Sequence, residues 1–213
     1  MNTERAWFWS RLAERTVEAL RDRQIEASYR PGLEEAREYI LSRIPEGATV
    51  GYGGSRTLVE LGLIEALRQR KVELLDRGRS DLPAATRSDY ERRALTADIF
   101  LSGINALSAD GRLGFIDCYG NRVAPILFGP ARVLLVAGAN KIEPDLSAAL
   151  YRAKEVAAPM NAYRLARRTP CTQSGRCHDC RHEGRICSYT VIIDRAPRPG
   201  RLEVVLVGEA LGL

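Results

Sequence analysis

The chain reads as an α/β protein built on a largely parallel sheet that is covered by helices on both faces. Three observations predict this class. Short apolar runs of strand length alternate with longer stretches of helical period, which is the pattern of parallel strands joined by crossover helices. The run Arg132 to Ala137 is almost continuously apolar, as expected of a strand buried on both faces. The 213 residues, 45% hydrophobic and 28% charged, suffice for a full core in one domain of ordinary globular type.

Element by element, residues from about Thr3 to Ala27 carry helical spacing with Trp7, Leu12, Val17 and Leu20 among the apolar positions, and a second helical stretch runs from Leu33 to Ile44. The turn Arg30-Pro31-Gly32 divides them. Ala48 to Tyr52 reads as a buried strand ending at Gly53-Gly54, after which Ser55 caps a helix carrying Leu58, Leu61, Ile64 and Leu67. A short strand follows at Val72 to Leu75, then a helix near Pro83 to Ala94, a strand at Asp98 to Leu101 and an extended segment at Arg112 to Ile116. After the strand at Arg132 to Ala137, Pro144 opens a helix to about Val156, and the chain enters a cysteine-rich loop through Pro159 and Pro170. Thr190 to Ile193 and Leu202 to Val207 are read as the two closing strands. There is no internal repeat and no low-complexity tract.

Composition narrows the environment and partners. The longest apolar stretch, Val133 to Ala137, is far short of the roughly 20 residues that span a bilayer, so no membrane partner is expected. Met1 is followed by Asn2, Glu4 and Arg5 with no apolar h-region, which points to the cytoplasm. A net charge of +5 and a pI near 9.1 permit contact with nucleic acid, but acidic residues are interleaved with basic ones and aromatics are only 7%, which argues against that partner.

The cysteines carry the sharpest chemical signal. Four of the five occur as Cys171-x5-Cys177-x2-Cys180-x6-Cys187. In a reducing compartment such crowding points to a shared metal centre instead of disulfides. Structural zinc favours two Cys-x2-4-Cys knuckles on a longer spacer, whereas a single Cys-x2-Cys with one cysteine close on each side suits a compact [4Fe–4S] cube; zinc is the alternative cofactor. Arg164, Arg167, Arg168, Arg176, Arg181 and Arg185 would stabilise the anionic centre that either metal makes with four thiolates, although a solvated basic loop has the same composition. His178 or His182 could replace one cysteine in a Cys3His zinc site, but the cysteine set is already complete.

Ligand chemistry in α/β sheets sits where strands end, which singles out two loops. Gly53, Gly54 and Ser55 form a glycine-rich turn in which the backbone can approach an anion; Arg56 stands where a dinucleotide fingerprint would have its third glycine, and no Walker lysine-serine pair follows. The second loop holds Asn105, Asp110, Asp117, Asn121 and Arg122 among four glycines. Turn chemistry uses the same residue types. The functional reading gives Asn121 and Arg122 a carboxylate or phosphate and Asp110 or Asp117 the role of acid, base or cation ligand. Both histidines lie in the cysteine loop, so the rest of the fold has no histidine for a Ser-His-Asp triad. Cys118 is either a nucleophile or a small buried apolar residue.

Taken together, Gly53-Gly54-Ser55, Asp98 to Ala106, Asp110-Gly111, Asp117, Gly120-Asn121-Arg122-Val123-Ala124, Phe128-Gly129-Pro130, Val136-Ala137-Gly138, Asn140-Lys141 and Val205 to Gly212 resemble the LUD, or lactate-utilisation, domain family from about residue 10 to 213. The resemblance implies a three-layer α/β/α fold similar to ribose-5-phosphate isomerase and CoA transferases. It places one such domain over 1–213, with N-terminal helices over about 1–45 and a cysteine-rich metal loop at 170–188. It further implies a role in organic-acid (lactate-type) utilisation, with iron–sulfur or redox protein partners and a small anionic metabolite. Asn140, Lys141 and the candidate catalytic residue Glu209 enter the site with it. A homo-oligomer is compatible with this reading. An isomerase or transferase acting on a phosphorylated sugar or acyl-CoA, with structural zinc, is the alternative that fold analogy offers. A nucleic-acid-binding module is the second alternative.

Overall fold

The computed structural model describes residues 3–213. Its centre is a six-stranded sheet of β1 (Glu26–Arg30), β2 (Thr49–Tyr52), β3 (Glu73–Leu74), β4 (Ile99–Gly103), β7 (Arg132–Gly138) and β10 (Leu202–Val207). The spatial order is β1-β10-β7-β4-β2-β3, and every pairing is parallel. Parallel ladders need both faces covered, and the central strands are apolar accordingly: every residue of β10 is buried, and so is all of β7 after Arg132.

Alternation along these strands sorts the core into two halves. Leu134, Val136, Val205 and Val207 face α2 (Leu33–Ser42), α3 (Arg56–Glu60) and α4 (Leu63–Arg68), packing with Ile40, Leu58 and Leu67. Val133, Leu135, Ala137, Val204 and Leu206 face the other way, toward Ala13, Val17 and Leu20 of α1 (Thr3–Asp22). That second half is shared with a smaller sheet in the order β8-β5-β6-β9, made of β5 (Ala106–Ser108), β6 (Leu113–Asp117), β8 (Ile142–Glu143) and β9 (Tyr189–Ile193). Leu107, Leu113 and Phe115 of this sheet join the α1 side of the core. Ala106 and Ile116, with opposite parity, pack under Ala149, Ala153 and Ala158 of the helix that follows β8. The architecture is thus the expected three layers about a mostly parallel sheet, with one outer layer part helix and part sheet.

Several elements differ from their sequence reading for local reasons. The first helix ends at Asp22, and the segment expected to prolong it to Ala27 turns through Gln24 (φ 59°) into the edge strand β1. The predicted N-terminal range of about 1–45 begins outside the described residues. Trp7, expected on the apolar face, is 62% exposed. The single helix expected after Ser55 is two, broken at Gly62, whose φ of 67° suits glycine. Strands β5 and β8 escaped notice because three and two residues show no alternation.

The helix expected from Pro144 to Val156 is capped by Asp145, whose carboxylate accepts from Ala148 N at 2.8 Å, and it runs on to Arg164. It does so as α7 (Leu146–Tyr151), a π-helical turn at Arg152–Ala157 and α8 (Ala158–Arg164). Pro159 has no N–H to close an ordinary turn, and the wide turn accommodates it while burying Arg152. α5 (Ala84–Arg93), α6 (Val123–Leu127) and α9 (Pro170–Ser174) complete the helices named here.

Candidate functional site

A cavity of about 440 Å3 opens beyond the C-terminal ends of β2, β4 and β6, the position where parallel α/β sheets place ligands. Gly54, Ser55, Asn105, Asp117, Asn121, Arg122 and Lys141 line it, so the chain folds both predicted loops into one site. Six arginines (Arg56, Arg77, Arg87, Arg122, Arg164 and Arg167) and the Lys141 amine face only two side-chain carboxylates there, Glu91 and Asp117.

Arg122 is the best anchored of these cations. Nη2 donates to Asn105 Oδ1 at 2.7 Å and to Ile116 O at 2.6 Å, and Nη1 donates to Gly103 O at 3.3 Å. Asn105 is itself fixed, because its Oδ1 also accepts from Ile116 N at 3.0 Å. The Asp117 carboxylate stands 3.8 Å from Arg122 Nε, but it is chiefly a helix cap: it accepts from Cys118 N at 2.7 Å, Arg122 N at 3.2 Å and Val123 N at 3.0 Å at the start of α6. The guanidinium is therefore buried with little opposing charge, an arrangement that favours an anionic ligand.

Lys141 follows β7 in a short 3-10 turn (Ala139–Lys141) and is only 2% exposed. Its Nζ donates to Thr57 Oγ1 at 2.9 Å and to Ile104 O at 3.1 Å. Burial, with the positive fields of Arg152 and then Arg122, pushes this amine down to about 7. Gly53 lines no cavity wall, yet it matters for space: a Cβ there would stand 2.7 Å from Arg122 Cγ.

At the rim, Glu91 joins elements far apart in sequence by accepting from Asn121 Nδ2 at 2.8 Å and pairing with Arg77. Arg77 and Glu91 are not singled out by the sequence, because each lies on a helix or loop whose pattern gives no sign of convergence, and Arg164 and Arg167, expected beside the cysteines, line this larger cavity. Besides Gly53, three predicted residues lie outside this cavity. Asn140 Oδ1 accepts from Leu211 N at 3.0 Å and ties the end of β7 to the last residues. Glu209 Oε1 accepts from Leu33 N at 3.2 Å at the start of α2. Asp110 lines a separate surface recess, paired with Arg23 at 3.0 Å.

The four loop cysteines line a second, smaller cavity, walled by Ala158, Pro159, Ala162 and Ile186. Cys171 lies on α9, which ends at Gly175 (φ 73°). Asp179 N donates to Cys177 Sγ at 3.4 Å, and Thr169 Oγ1 lies 3.1 Å from Cys171 Sγ. Arg185 gathers the loop by donating to Cys180 O at 2.6 Å, Cys187 O at 3.1 Å and Asp179 Oδ1 at 3.1 Å. Burial pushes the Cys187 thiol up, while the Arg185 guanidinium draws it back. Among the described residues no disulfide joins these thiols, and no three His, Cys, Asp or Glu side chains are grouped as a site for one metal ion. His178 is bonded to Ser174 Oγ at 2.6 Å and His182 to Gly184 N at 3.0 Å. Ile186 lines both cavities, so they lie back to back. Cys118 faces the larger one, its thiol donating to Arg185 O at 3.4 Å and pushed up by burial.

Fold and site together define an α/β domain with a cationic cavity at the ends of its strands and a cysteine pocket behind it. The chain belongs to the LUD domain family, whose sequence signature matches residues 13–207. A DUF162 family protein from Deinococcus radiodurans has a similar fold, with 12% identity, 93% of this chain and 98% of that chain covered and a TM-score of 0.54. Ribose 5 phosphate isomerase A from Neisseria gonorrhoeae aligns over 52% of each chain at 15% identity and a TM-score of 0.34. No curated protein matches the sequence. Among the described residues no helix is long and apolar enough to cross a membrane.

Proposed function

We propose that this LUD-domain protein serves organic-acid utilisation of the lactate type, binding a small carboxylate in the cationic cavity beside a metal centre held by Cys171, Cys177, Cys180 and Cys187. The observation that carries the reading is the charge imbalance of the cavity: six guanidinium groups face two side-chain carboxylates, one of which is engaged in capping α6. Arg122 is a fixed guanidinium whose two Nη2 donors and one Nη1 donor are held by Asn105, Ile116 and Gly103, which leaves one Nη1 donor and Nε for a carboxylate, and Lys141 stands at the same floor.

The donor set fits a [4Fe–4S] cluster, since four thiols line the smaller cavity, its one carboxylate, Asp179, is paired with Arg185 and Lys154, and these two cations offset anionic charge. When bound, such a cluster supplies one-electron transfer, and iron–sulfur or redox proteins would be its partners. The chain's own residues bind the acid, orient it and hold the loop through Arg185.

Calorimetric titration with lactate, pyruvate and inorganic phosphate tests the binding reading. A carboxylate that binds to the native protein and fails to bind after Arg122→Met supports it; equal, weak responses to all three anions would remove it. A second reading, an isomerase or transferase on a phosphorylated substrate with structural zinc, is favoured by the outer rim, where Arg77 Nε has no partner among the described residues. Tighter binding of a sugar phosphate than of either acid would select it.

A further inference from the structure

The basic residues of this chain number 32, of which only Lys71, Lys141 and Lys154 are lysines; the other 29 are arginines. Lys71 is exposed, and Lys154 is half-exposed and stands 3.7 Å from Asp179. The third lysine is enclosed in the cavity floor. An anion-binding task alone is served as well or better by arginine, which this chain uses nearly everywhere else and which does not lose its proton. What lysine offers at a buried position is a neutral amine with a lone pair.

The hydrogen bonds are those of such an amine. A neutral –NH2 has two N–H donors, and two acceptors meet Nζ, Thr57 Oγ1 and Ile104 O, with no carboxylate bonded to it. Two neighbouring guanidinium groups, Arg152 and Arg122, disfavour the protonated form, as cationic neighbours do for nucleophilic lysines. Placement then selects the electrophile. Arg122 rests on the carbonyl of Gly103 and Lys141 on the carbonyl of Ile104, consecutive residues at the end of β4. A guanidinium and an amine so close together match a molecule whose carboxylate is bonded directly to a carbonyl carbon.

We propose that Lys141 forms an imine with the carbonyl carbon of a 2-oxo acid whose carboxylate is held by Arg122. The inference rests on the small-carboxylate reading of the cavity. The Nζ lone pair adds to the carbonyl carbon, a C–N bond forms as the C=O π pair moves onto oxygen, and that oxygen takes up one of the two amine protons. The resulting carbinolamine loses its hydroxyl with the remaining amine hydrogen as water, leaving C=N. No oxidant or reductant enters. The protonated imine withdraws electrons from the bonds adjacent to the former carbonyl, which is how lysine imines activate C–H and C–C bonds.

The test uses the full chain with pyruvate as the probe, in two arms. Equilibrium binding is measured by calorimetry without reductant. In parallel the protein is incubated with pyruvate and cyanoborohydride, which delivers hydride to the imine, and intact mass and peptide mapping locate the adduct. The expected result is a single mass gain equal to pyruvic acid less one oxygen atom, mapped to Lys141. It should be retained in Lys71→Arg, abolished in Lys141→Arg and absent when lactate, which has no carbonyl, replaces pyruvate. Because mapping is done on the native chain, it stands even where Lys141→Arg does not fold. Binding of pyruvate with no adduct, or an adduct only on Lys71 or Lys154, overturns the inference and leaves the proposed function intact. Neither binding nor adduct overturns both.

Discussion

Replacing Lys141 by methionine should make the protein more stable near neutral pH, and the gain should vanish in mild alkali. The unfolded lysine holds its proton up to the ordinary value of 10.5, whereas the folded one releases it near 7. Below pH 7 the whole penalty of enclosing this amine is present, at most about 5 kcal/mol from the difference between those two values. Methionine removes that penalty but leaves the Ile104 carbonyl, now bonded at 3.1 Å, without a donor, which costs about 1–3 kcal/mol. The net gain at pH 6.5 is then roughly 3 kcal/mol. Between pH 7 and 10.5 the unfolded chain binds the extra proton, so the stability of the native protein rises with pH relative to the variant. By pH 9 about 2 kcal/mol of the penalty remains, and the two proteins should be nearly equal. Urea unfolding of both under reducing conditions from pH 6 to 9 measures this difference. A variant that is less stable at every pH, by a constant amount, would show that the amine is held as an ordinary charged lysine.

Three further outcomes follow from named contacts. Gly53→Ala forces a methyl to within 2.7 Å of Arg122 Cγ and should weaken carboxylate binding about tenfold with little loss of secondary structure; unchanged affinity would mean that Arg122 does not set the ligand's position. Asp117→Ala deprives the start of α6 of its acceptor and Arg122 of its opposing charge, so urea unfolding should show a loss of about 3 kcal/mol or more, against a few tenths if the carboxylate were a free acid-base group. Arg185→Gln removes the donor that binds two cysteine carbonyls and should lower metal retention on dialysis while the thermal midpoint of the main sheet moves little; full retention would leave the loop's organisation to the cysteines alone.

The main sheet was readable because its physics is local. β7 and β10 must be apolar on both faces, and Gly53-Gly54-Ser55 and Gly103 mark where strands stop. The floor of the cavity was readable in part, since Asn105, Asn121, Arg122 and Lys141 lie in segments that resemble one family. Convergence across distant elements was not. Glu91 and Arg77 lie on or next to a helix with no buried residue, and only tertiary packing brings them to Asn121. Asn140 and Glu209 share the family's segments yet serve backbone donors at the ends of β7 and α2, a distinction that side-chain type cannot carry. The π-helical turn that buries Arg152 arises from a proline that reads in sequence as a helix end.

The metal content of anaerobically purified protein tests the central claim most directly, because it decides what the cysteine pocket behind the cationic cavity holds. The account predicts a brown protein with about four irons and matching sulfide per chain, and a visible spectrum that is lost in Cys187→Ala. A colourless protein carrying stoichiometric zinc, or no metal at all, would contradict it.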